Sequence, residues 1–531
     1  MRPLPVLACA LLLAACAREP APEASAPPPP SDRAVGPLVA EMTLANASAQ
    51  MAAGQLSAEA LAGAYLERIE QIDRAGPALN SVIELNPDAL ADARALDAER
   101  SAGRVRGPLH GIPVLLKDNI DAVGMANSAG SLALAGHRPT RDAFIVSRLR
   151  DAGAVILGKT NLSEWANFRS TRSSSGWSSR GGQTRNAYVL DRNPCGSSAG
   201  TGTAIAASLA MVGVGTETDG SIICPSAVNG LVGLKPTVGL VSRGGIIPIS
   251  VSQDTAGPMG RSVADVAALL NVLAAVDDAD PAGPAANGRL ALDYTAGLAP
   301  DAVAGKRFGV LRQAMGFNPD VDAAVERAIA SLQAGGAEVV DIEIATWRQW
   351  GEDEFNVLLY EFKDGLDAYL AAAGGEHASL ESLIAWNSAH AAEAMPHFGQ
   401  EIFEQAQAKG PLTEPAYVQA RDRARRLAGE EGLVAAMDRH RLDAVIAPST
   451  SPAWPTDHVN GDHFSGAGYG IAAVAGTPSI TVPSGEVRGL PIGVVFMGRA
   501  YSEAELLGYA YAFEQATLAR KPPMFVPTLA Y

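Results

Sequence analysis

The sequence is poor in histidine, the usual general base of serine hydrolases. Only eight histidines occur among 531 residues, and His110, which precedes an apolar segment, is more typical of a structural role. His458 and His463, with Asp457 and Asp462, come nearest to a metal-binding set. Their spacing matches no familiar ligand pattern, so we interpret this segment as an exposed polar loop and expect no metal site. No G-x-S-x-G elbow stands at the end of a predicted strand, which argues against an α/β-hydrolase.

Positive charge is also scarce. The chain has 41 Lys and Arg against 57 Asp and Glu, and its formal net charge is −16. Because nucleic-acid binding needs a basic face, we exclude DNA and RNA as partners. The glycine-rich turn at residues 196–202 lacks the Gly-Lys-Ser/Thr ending of a phosphate-binding loop, so it does not predict a nucleotide site.

The apolar run near the N-terminus is too short to span a bilayer. It covers residues 4–15, whereas a spanning helix needs about 20 apolar residues. It follows Arg2 and ends in Leu-Ala-Ala-Cys, which resembles a bacterial lipoprotein box with Cys16 as the lipidated residue. Ordinary signal cleavage with an incidental Cys16 is the alternative.

We therefore predict that residues 1–15 are a lipoprotein-type signal peptide and that the Pro- and Ala-rich residues 16–36 form an extended tether. The protein is then expected to be secreted across the inner membrane. It would be periplasmic and would be held at a membrane by lipid on Cys16.

Cysteine is equally rare, with four residues in the whole chain. Cys9 falls in the signal segment, and Cys16 is the predicted lipidation site. Cys195 and Cys224 each lie beside a Gly-Ser-rich turn. An extracytoplasmic compartment permits disulfides, but we expect these two residues to be small buried thiols rather than a bridge.

Strand-like and helical patterns alternate along much of the chain. "GIPVLLKDN" is typical of a short strand that ends in charge, and "DAFIVSRLRDAGAVILGKTN" predicts a helix, a glycine turn and a strand. Such alternation predicts an α/β fold with a large, mixed and mainly parallel sheet that helices cover on both faces. No Pro/Gly/Ser-rich linker divides residues 37–531, which favours one domain, with a mainly helical insertion at about residues 353–439.

Two Gly-Ser-rich turns, "NPCGSSAGTG" and "TETDGSIICP", contain candidate nucleophiles. Ser197 and Ser221 are 24 residues apart, which leaves room for one helix and one strand, so both turns can lie at the same end of a sheet. Gly220 permits a tight turn whose N–H groups point to one side, as an oxyanion requires. Lys117 ends a predicted strand, and a buried lysine can be neutral and act as a base. Solvated loop serines and a surface lysine are the alternative.

Several long motifs, in a fixed order, make the chain similar to a known family. They are "LHGIPVLLKDNI", "GAVILGKTNLSEWAN", "NPCGSSAGTGTAIAASLA", "GTETDGSIICPSAVNGLVGLKPTVGLVSRGGIIPIS", "DTAGPMGRSVADVAALL" and the closing "GTPSITVPSGEVRGLPIGVVFMGRAYSEAELLGYAYAFEQA". Together they resemble the amidase signature family over most of residues 40–520. "WANFRSTRSSSGWSSRGGQTRNAY" and "TETDGSIICP" are most similar to the peptide amidase branch.

The resemblance implies a Ser-Ser-Lys triad in place of Ser-His-Asp. Ser221 would be the nucleophile that forms the acyl-enzyme, Ser197 the bridging serine on a cis peptide bond with Gly196, and Lys117 the base. The oxyanion hole would be formed by the backbone N–H groups of Thr218, Asp219, Gly220 and Ser221. The implied fold is one α/β/α sandwich around a mixed sheet of about ten strands.

Two residues depart from the pattern of many family members, which have glycine where Cys195 and Asp219 stand. Cys195 should be harmless outside the hydrogen-bonded site. A carboxylate that faces the oxyanion would repel it, so we expect the Asp219 side chain to point away and only its N–H group to face the site.

We therefore interpret the chain as an amide hydrolase that releases ammonia or an amine and needs neither a metal nor an organic cofactor. Many members carry an arginine at the position of Ile223, and in some it holds a substrate carboxylate. Isoleucine cannot, so we expect neutral acyl groups, with C-terminal peptide amides as the best fit. Ile222, Ile223 and Trp177 are candidates for the substrate pocket.

Three alternatives remain open. One is an amidase of other aryl or aliphatic amides. Another is the glutamine-hydrolysing component of a tRNA-dependent amidotransferase, which the secretion signal and the acidic charge oppose. The third, from a different class, is a solute-binding lipoprotein without catalysis.

Overall fold

The computed structural model describes Met1 and residues 39–530 of the chain. Apart from Met1, the predicted signal peptide, its lipidation site Cys16 and the predicted tether lie outside the described residues. Within the described part, no helix combines the length and the apolar character that a membrane span requires.

Eleven strands form one large sheet, and two short strands, β4 and β5, form a second. In chain order the strands are β1 Val82–Leu85, β2 Pro113–Lys117, β3 Val155–Thr160, β4 Trp177–Ser178, β5 Gly182–Gln183, β6 Val212–Glu217, β7 Val232–Lys235, β8 Thr255–Gly260, β9 Arg307–Leu311, β10 Glu338–Ile342, β11 Ala444–Pro448, β12 Ser479–Val487 and β13 Leu490–Met497. The order across the large sheet is β1-β3-β2-β6-β8-β7-β12-β13-β11-β9-β10.

The sheet is mixed, as predicted, but it is not mainly parallel. β2 is parallel to β3 and β6, and β9 is parallel to β10 and β11. The other six neighbouring pairs are antiparallel. The expectation of a mainly parallel sheet is therefore wrong.

The connections between strands explain this difference. A helix lies between β2 and β3 and between β9 and β10, and such crossovers give parallel neighbours. β12 and β13 are joined only by Arg488 and Gly489, whose φ angles of 51° and 82° suit a two-residue hairpin turn. β7 and β8 are also joined without a helix, so they too pair antiparallel.

Helices flank the large sheet, which confirms the α/β class. Their bounds are Leu44–Ala52, Ala58–Arg68, Ala89–Ser101, Phe144–Asp151, Ala199–Ala206, Ile223–Val228, Val263–Leu273, Pro319–Ala334, Gly351–Ala373, Leu380–Ala389, Ala391–Ala394, Glu401–Gln407, Pro415–Ala428, Val434–His440, Gly470–Ala475 and Glu503–Thr517. The local sequence determines where several of these helices begin. Ser262, for example, caps Val263–Leu273 by accepting a hydrogen bond from the N–H of Asp265 at 3.2 Å.

A helical region covers the chain between β10 and β11. Most of residues 351–440 form helices, and the described residues between Ile342 and Ala444 contain no strand. The long helix Gly351–Ala373 buries Phe362 and Leu366 in an apolar cluster with Trp165 and Phe168. This packing places the helical region over the loops that carry the candidate site.

Candidate active site

Lys117 is the last residue of β2, and its side chain is completely buried. Its Nζ donates hydrogen bonds to Ser197 Oγ at 2.7 Å, to Thr216 Oγ1 at 2.8 Å and to the Thr216 carbonyl at 3.1 Å. Burial lowers the pKa of Lys117 to about 7, although the negative charges of Asp254 and Glu217 oppose the shift. A substantial fraction of this amine is therefore neutral at neutral pH and can accept a proton.

Ser197 lies in the turn that leads into the helix Ala199–Ala206. It is fully buried, and its peptide bond to Gly196 is cis. A Cβ atom at Gly196 would lie 2.1 Å from Ser163 Oγ, so a side chain here would require Ser163 to move. The strand end and this turn thus bring Lys117 and Ser197 together, 80 residues apart in sequence.

Ser221 lies in the loop that follows β6. The N–H of Ser198 donates to the Ser221 carbonyl at 3.2 Å, so the two Gly-Ser-rich turns are in direct contact. Gly220 has a φ of 81°, and a Cβ atom there would lie 2.2 Å from the ring of Tyr469. Only glycine fits this position, and it gives the loop the tight bend that the sequence predicted. The Ser221 side chain is neither fully buried nor fully exposed.

Two buried carboxyl groups accept hydrogen bonds from this loop and stabilise it. The sequence analysis did not identify them. Glu217 accepts hydrogen bonds from the N–H groups of Ile222 at 2.7 Å and Ile223 at 3.0 Å. Asp254 accepts from Thr218 Oγ1 at 2.5 Å. Burial raises the pKa of Glu217 and raises that of Asp254 to about 6. An acidic residue before a Gly-Ser turn is a weak sequence signal for the role of Glu217. No local sequence pattern indicates the role of Asp254.

Asp219 pairs with a second carboxyl group. Its carboxyl group lies close to that of Glu354 in the helix Gly351–Ala373, and the two groups influence each other's protonation. Gln253 Nε2 donates to Glu354 Oε1 at 3.0 Å and to the Thr218 carbonyl at 3.3 Å. Asp219 is exposed to solvent by surface area, but many protein atoms surround its carboxyl group, and desolvation together with Glu354 raises its pKa well above the usual range. Desolvation raises the pKa of Glu354 to about 7, so the pair takes up a proton readily.

Cys195 and Cys224 form a disulfide bond, which contradicts the expectation of two free thiols. Their Cα atoms are 6.0 Å apart, within the range that a disulfide spans. The expectation was wrong because the sequence does not show how closely the turn before Ser197 approaches the helix Ile223–Val228. The bond links the two candidate turns covalently.

The structure thus shows a Lys117–Ser197 hydrogen bond and a contact between the turn of Ser197 and the loop of Ser221. Residues 60–507 match the profile of the Amidase family. The chain belongs to this family. Amide hydrolysis is therefore its class of reaction, and a non-catalytic solute-binding role finds no support.

Comparison with individual relatives shows which members of the family this amidase resembles. The native peptide amidase from Stenotrophomonas maltophilia is 55% identical, with a TM-score of 0.89, and the match covers 92% of this chain and 99% of that chain. A probable amidase of Arabidopsis thaliana is 39% identical over 485 residues, 89% of each chain. One glutamyl-tRNA(Gln) amidotransferase subunit, from Synechococcus sp., is 35% identical over 491 residues, 90% of this chain and 93% of that protein. The likeness to the peptide amidase supports the branch that the motifs indicated.

The three predicted pocket residues are all buried in the amidase. Ile222 and Ile223 are completely buried at the start of the helix Ile223–Val228, where Ile222 is the N-cap residue and Ile223 the first helical residue. They have no exposed surface in this structure, and their assignment to the substrate pocket stays a prediction. Trp177 is 6% exposed and packs edge-on against His397 and Phe398.

The amidase also has a cavity beside Ser197, of about 230 Å³. It is lined by Asn119, Thr216, Thr218 and an aliphatic segment at residues 246–251. In residues 39–530, no three His, Cys, Asp or Glu side chains are grouped in a way that could hold a metal ion.

Proposed function

We propose that this amidase hydrolyses primary carboxamides, preferentially the C-terminal amides of peptides, through an acyl-enzyme on Ser221. The observation that carries the proposal is the 2.7 Å hydrogen bond between Ser197 and a completely buried lysine whose pKa is about 7. A partly neutral amine in contact with a hydroxyl is the arrangement that proton transfer from serine needs.

The first half of the reaction forms the acyl-enzyme. Lys117, through Ser197, removes the proton of Ser221 while the Ser221 oxygen bonds to the amide carbon. The backbone N–H groups of residues 218–221 stabilise the oxyanion that develops. The C–N bond then breaks, and the nitrogen takes the proton back through Ser197 and leaves as ammonia.

The second half returns the enzyme to its starting state. Water gives a proton through Ser197 to Lys117 and attacks the ester carbon. The carboxylic acid leaves, and Ser221 recovers its proton. No redox step or further reactant is needed, and atoms and charge balance over the cycle.

The charge near Ser221 supports the substrate preference. Asp219 stands two residues before Ser221 and shares its surroundings with Glu354. When this carboxyl pair holds fewer than two protons, it is negatively charged and repels a substrate carboxylate. Free glutamine and short amide acids are therefore poor substrates, whereas blocked peptide amides carry no charge. The preference for neutral acyl groups thus rests on this carboxyl pair rather than on Ile223.

The test compares kcat/KM for a blocked dipeptide amide, glutamine and benzamide, with Ser221→Ala as the inactive control. We expect the dipeptide amide to be the best substrate. Faster hydrolysis of glutamine would contradict the peptide-amide assignment. Faster hydrolysis of benzamide would favour an aryl amidase. Activity of the single polypeptide, without partner proteins, would exclude the amidotransferase role.

We also propose that the enzyme is exported across the inner membrane and anchored through lipid on Cys16. The Leu-Ala-Ala-Cys sequence and the Pro-rich residues that follow support this location.

A further inference from the structure

A second cavity lies next to the cavity beside Ser197. Its volume is about 630 Å³, and Arg243, Val251 and Pro281 line both cavities. Gln253 also lines the second cavity, and its side chain donates to the carbonyl of Thr218, in the loop before Ser221, at 3.3 Å. The second cavity thus adjoins the site, although the described residues that line it include neither Ser197 nor Ser221.

Only the acyl part of a primary amide can extend away from the scissile bond. The nitrogen carries hydrogen alone, so any part of the substrate in the cavity beside Ser197 belongs to the acyl group. Sites for drug-sized ligands have volumes of about 300–1,000 Å³. The cavity beside Ser197, at about 230 Å³, is smaller than this range, whereas the second cavity falls within it. The more distant residues of a longer peptide amide have to leave the first cavity, and the second cavity is its neighbour.

The second cavity is basic, although the protein is acidic. Three arginines and one aspartate are the charged residues that line it, whereas the whole chain has a formal net charge of −16. They are Arg243, Arg421, Arg425 and Asp422. The Arg243 side chain is held by Asp280 and by the Val251 carbonyl, and Arg421 is paired with Asp422 at 2.8 Å. Arg425 is exposed, and no group among the described residues forms a hydrogen bond or an ion pair with its side chain.

Arg421 and Arg425 lie on one face of a helix. They stand four positions apart in the helix Pro415–Ala428, so their side chains are neighbours. The Arg421 guanidinium lies over the Tyr417 ring, 5.5 Å from its centre, and the Tyr417 hydroxyl donates to Glu361 at 2.6 Å. These contacts orient Arg421. Arg425 keeps its hydrogen-bond donors available for a carboxylate that enters the cavity.

We propose that the second cavity binds the part of a peptide amide that lies several residues before the scissile bond, and that Arg425 and Arg421 select acidic side chains there. This rests on the proposed function as a peptide amidase. A guanidinium group binds a carboxylate through two parallel hydrogen bonds, so it provides both orientation and attraction. The preferred substrates are then peptide amides with a glutamate or an aspartate distant from the amide end.

Negative charge has the opposite effect next to the scissile bond. There, Asp219 and Glu354 repel a carboxylate whenever the pair is negatively charged. An acidic residue beside the amide should therefore slow hydrolysis, whereas an acidic residue farther along the peptide should accelerate it. This change of sign distinguishes binding in the second cavity from a general attraction to the protein, which its net charge of −16 opposes.

The experiment uses acetylated hexapeptide amides of alanine in which a single Glu, or a single Gln, occupies each position in turn. The measured quantity is the ratio of kcat/KM for the Glu peptide to that for the matched Gln peptide, at pH 8 and low ionic strength. This ratio cancels any general change in a variant's activity. We expect a ratio below one beside the amide and a ratio of about five at one or two distant positions, which a half-exposed ion pair can supply. Added salt should lower the distant ratio towards one.

Variants of Arg425 test whether the cavity causes the effect. Arg425→Gln removes the charge and should lower the distant ratio to below two, and Arg425→Glu reverses the charge and should lower it below one. Arg426→Gln is the matched control, because Arg426 is the next residue of the same helix but pairs with Glu431 at 2.6 Å and does not line the cavity. The distant ratio of this control should stay at about five.

Two results would overturn the inference. The first is a wild-type ratio at or below one at every position while the Gln peptides are hydrolysed, in which case the proposed peptide amidase function would stand. The second is a distant ratio that stays at about five in Arg425→Glu, which would mean that the acidic side chain binds elsewhere. If no peptide amide were hydrolysed while benzamide was, the proposed function and this inference would both be wrong.

Discussion

The pH dependence of the reaction tests the role of Lys117 most directly. The lysine must be neutral to accept a proton, and burial lowers its pKa from 10.5 to about 7. With an ordinary pKa, only about one lysine in 3,000 would be neutral at pH 7, whereas here about half are. The shift therefore raises the concentration of the active base by about a thousandfold at neutral pH.

The direction in which kcat/KM changes with pH follows from the protonation equilibrium of Lys117. Below pH 7 the folded enzyme holds Lys117 in its charged form, so kcat/KM should fall about tenfold for each pH unit. Above pH 7 the base is neutral, and kcat/KM should reach a plateau that persists into mildly alkaline buffer. Asp254, with a pKa of about 6, also loses its charge as the pH falls.

Two variants test whether the fall of kcat/KM below pH 7, the acidic limb of the profile, results from protonation of Lys117. Asp254 raises the pKa of Lys117 through its negative charge, so Asp254→Asn should move the limb to lower pH. Glu354 has a pKa of about 7 and could produce a similar limb. Glu354→Gln removes that group and should leave the limb where it is.

The assay is ammonia release from a blocked dipeptide amide between pH 5 and 9.5, at substrate concentrations well below KM. An optimum near pH 5 would refute the lysine base. So would a limb that disappears in Glu354→Gln but stays in place in Asp254→Asn.

Three further predictions concern the triad, the disulfide and the lipid anchor. Ser221→Ala should abolish turnover and fluorophosphonate labelling, and Lys117→Ala should lower kcat about 10⁴-fold or more. The activity of the double variant should be hardly lower than that of the less active single variant. Full activity of Lys117→Ala would contradict this mechanism. Replacing Cys195 and Cys224 by serine opens a loop that spans 29 positions of sequence and should reduce the free energy of unfolding by about 3–4 kcal/mol in denaturant titrations; an unchanged unfolding midpoint would contradict this. Cys16→Ser should release an active enzyme into the soluble fraction; a variant that stays in the membrane would show another anchor.

The sequence predicted those features that depend on neighbouring residues. Strand–helix–strand order predicted parallel neighbours such as β2 and β3. The Gly-Ser turn at Gly220 predicted a tight bend, and the structure shows that only glycine fits there. The family motifs predicted the class of reaction, because they extend over much of the chain.

Tertiary structure decided the features that depend on distances between remote segments. The disulfide needed Cys195 and Cys224 to approach within 6.0 Å, and no pattern in the sequence measures that distance. The complete burial of Ile223 and the cavity beside Ser197 likewise result from packing. The sequence marked Lys117 as a candidate base, but only the fold could make it one. Complete burial removes the water that would stabilise its charge, and the protein atoms that replace this water come from segments about a hundred residues away in sequence.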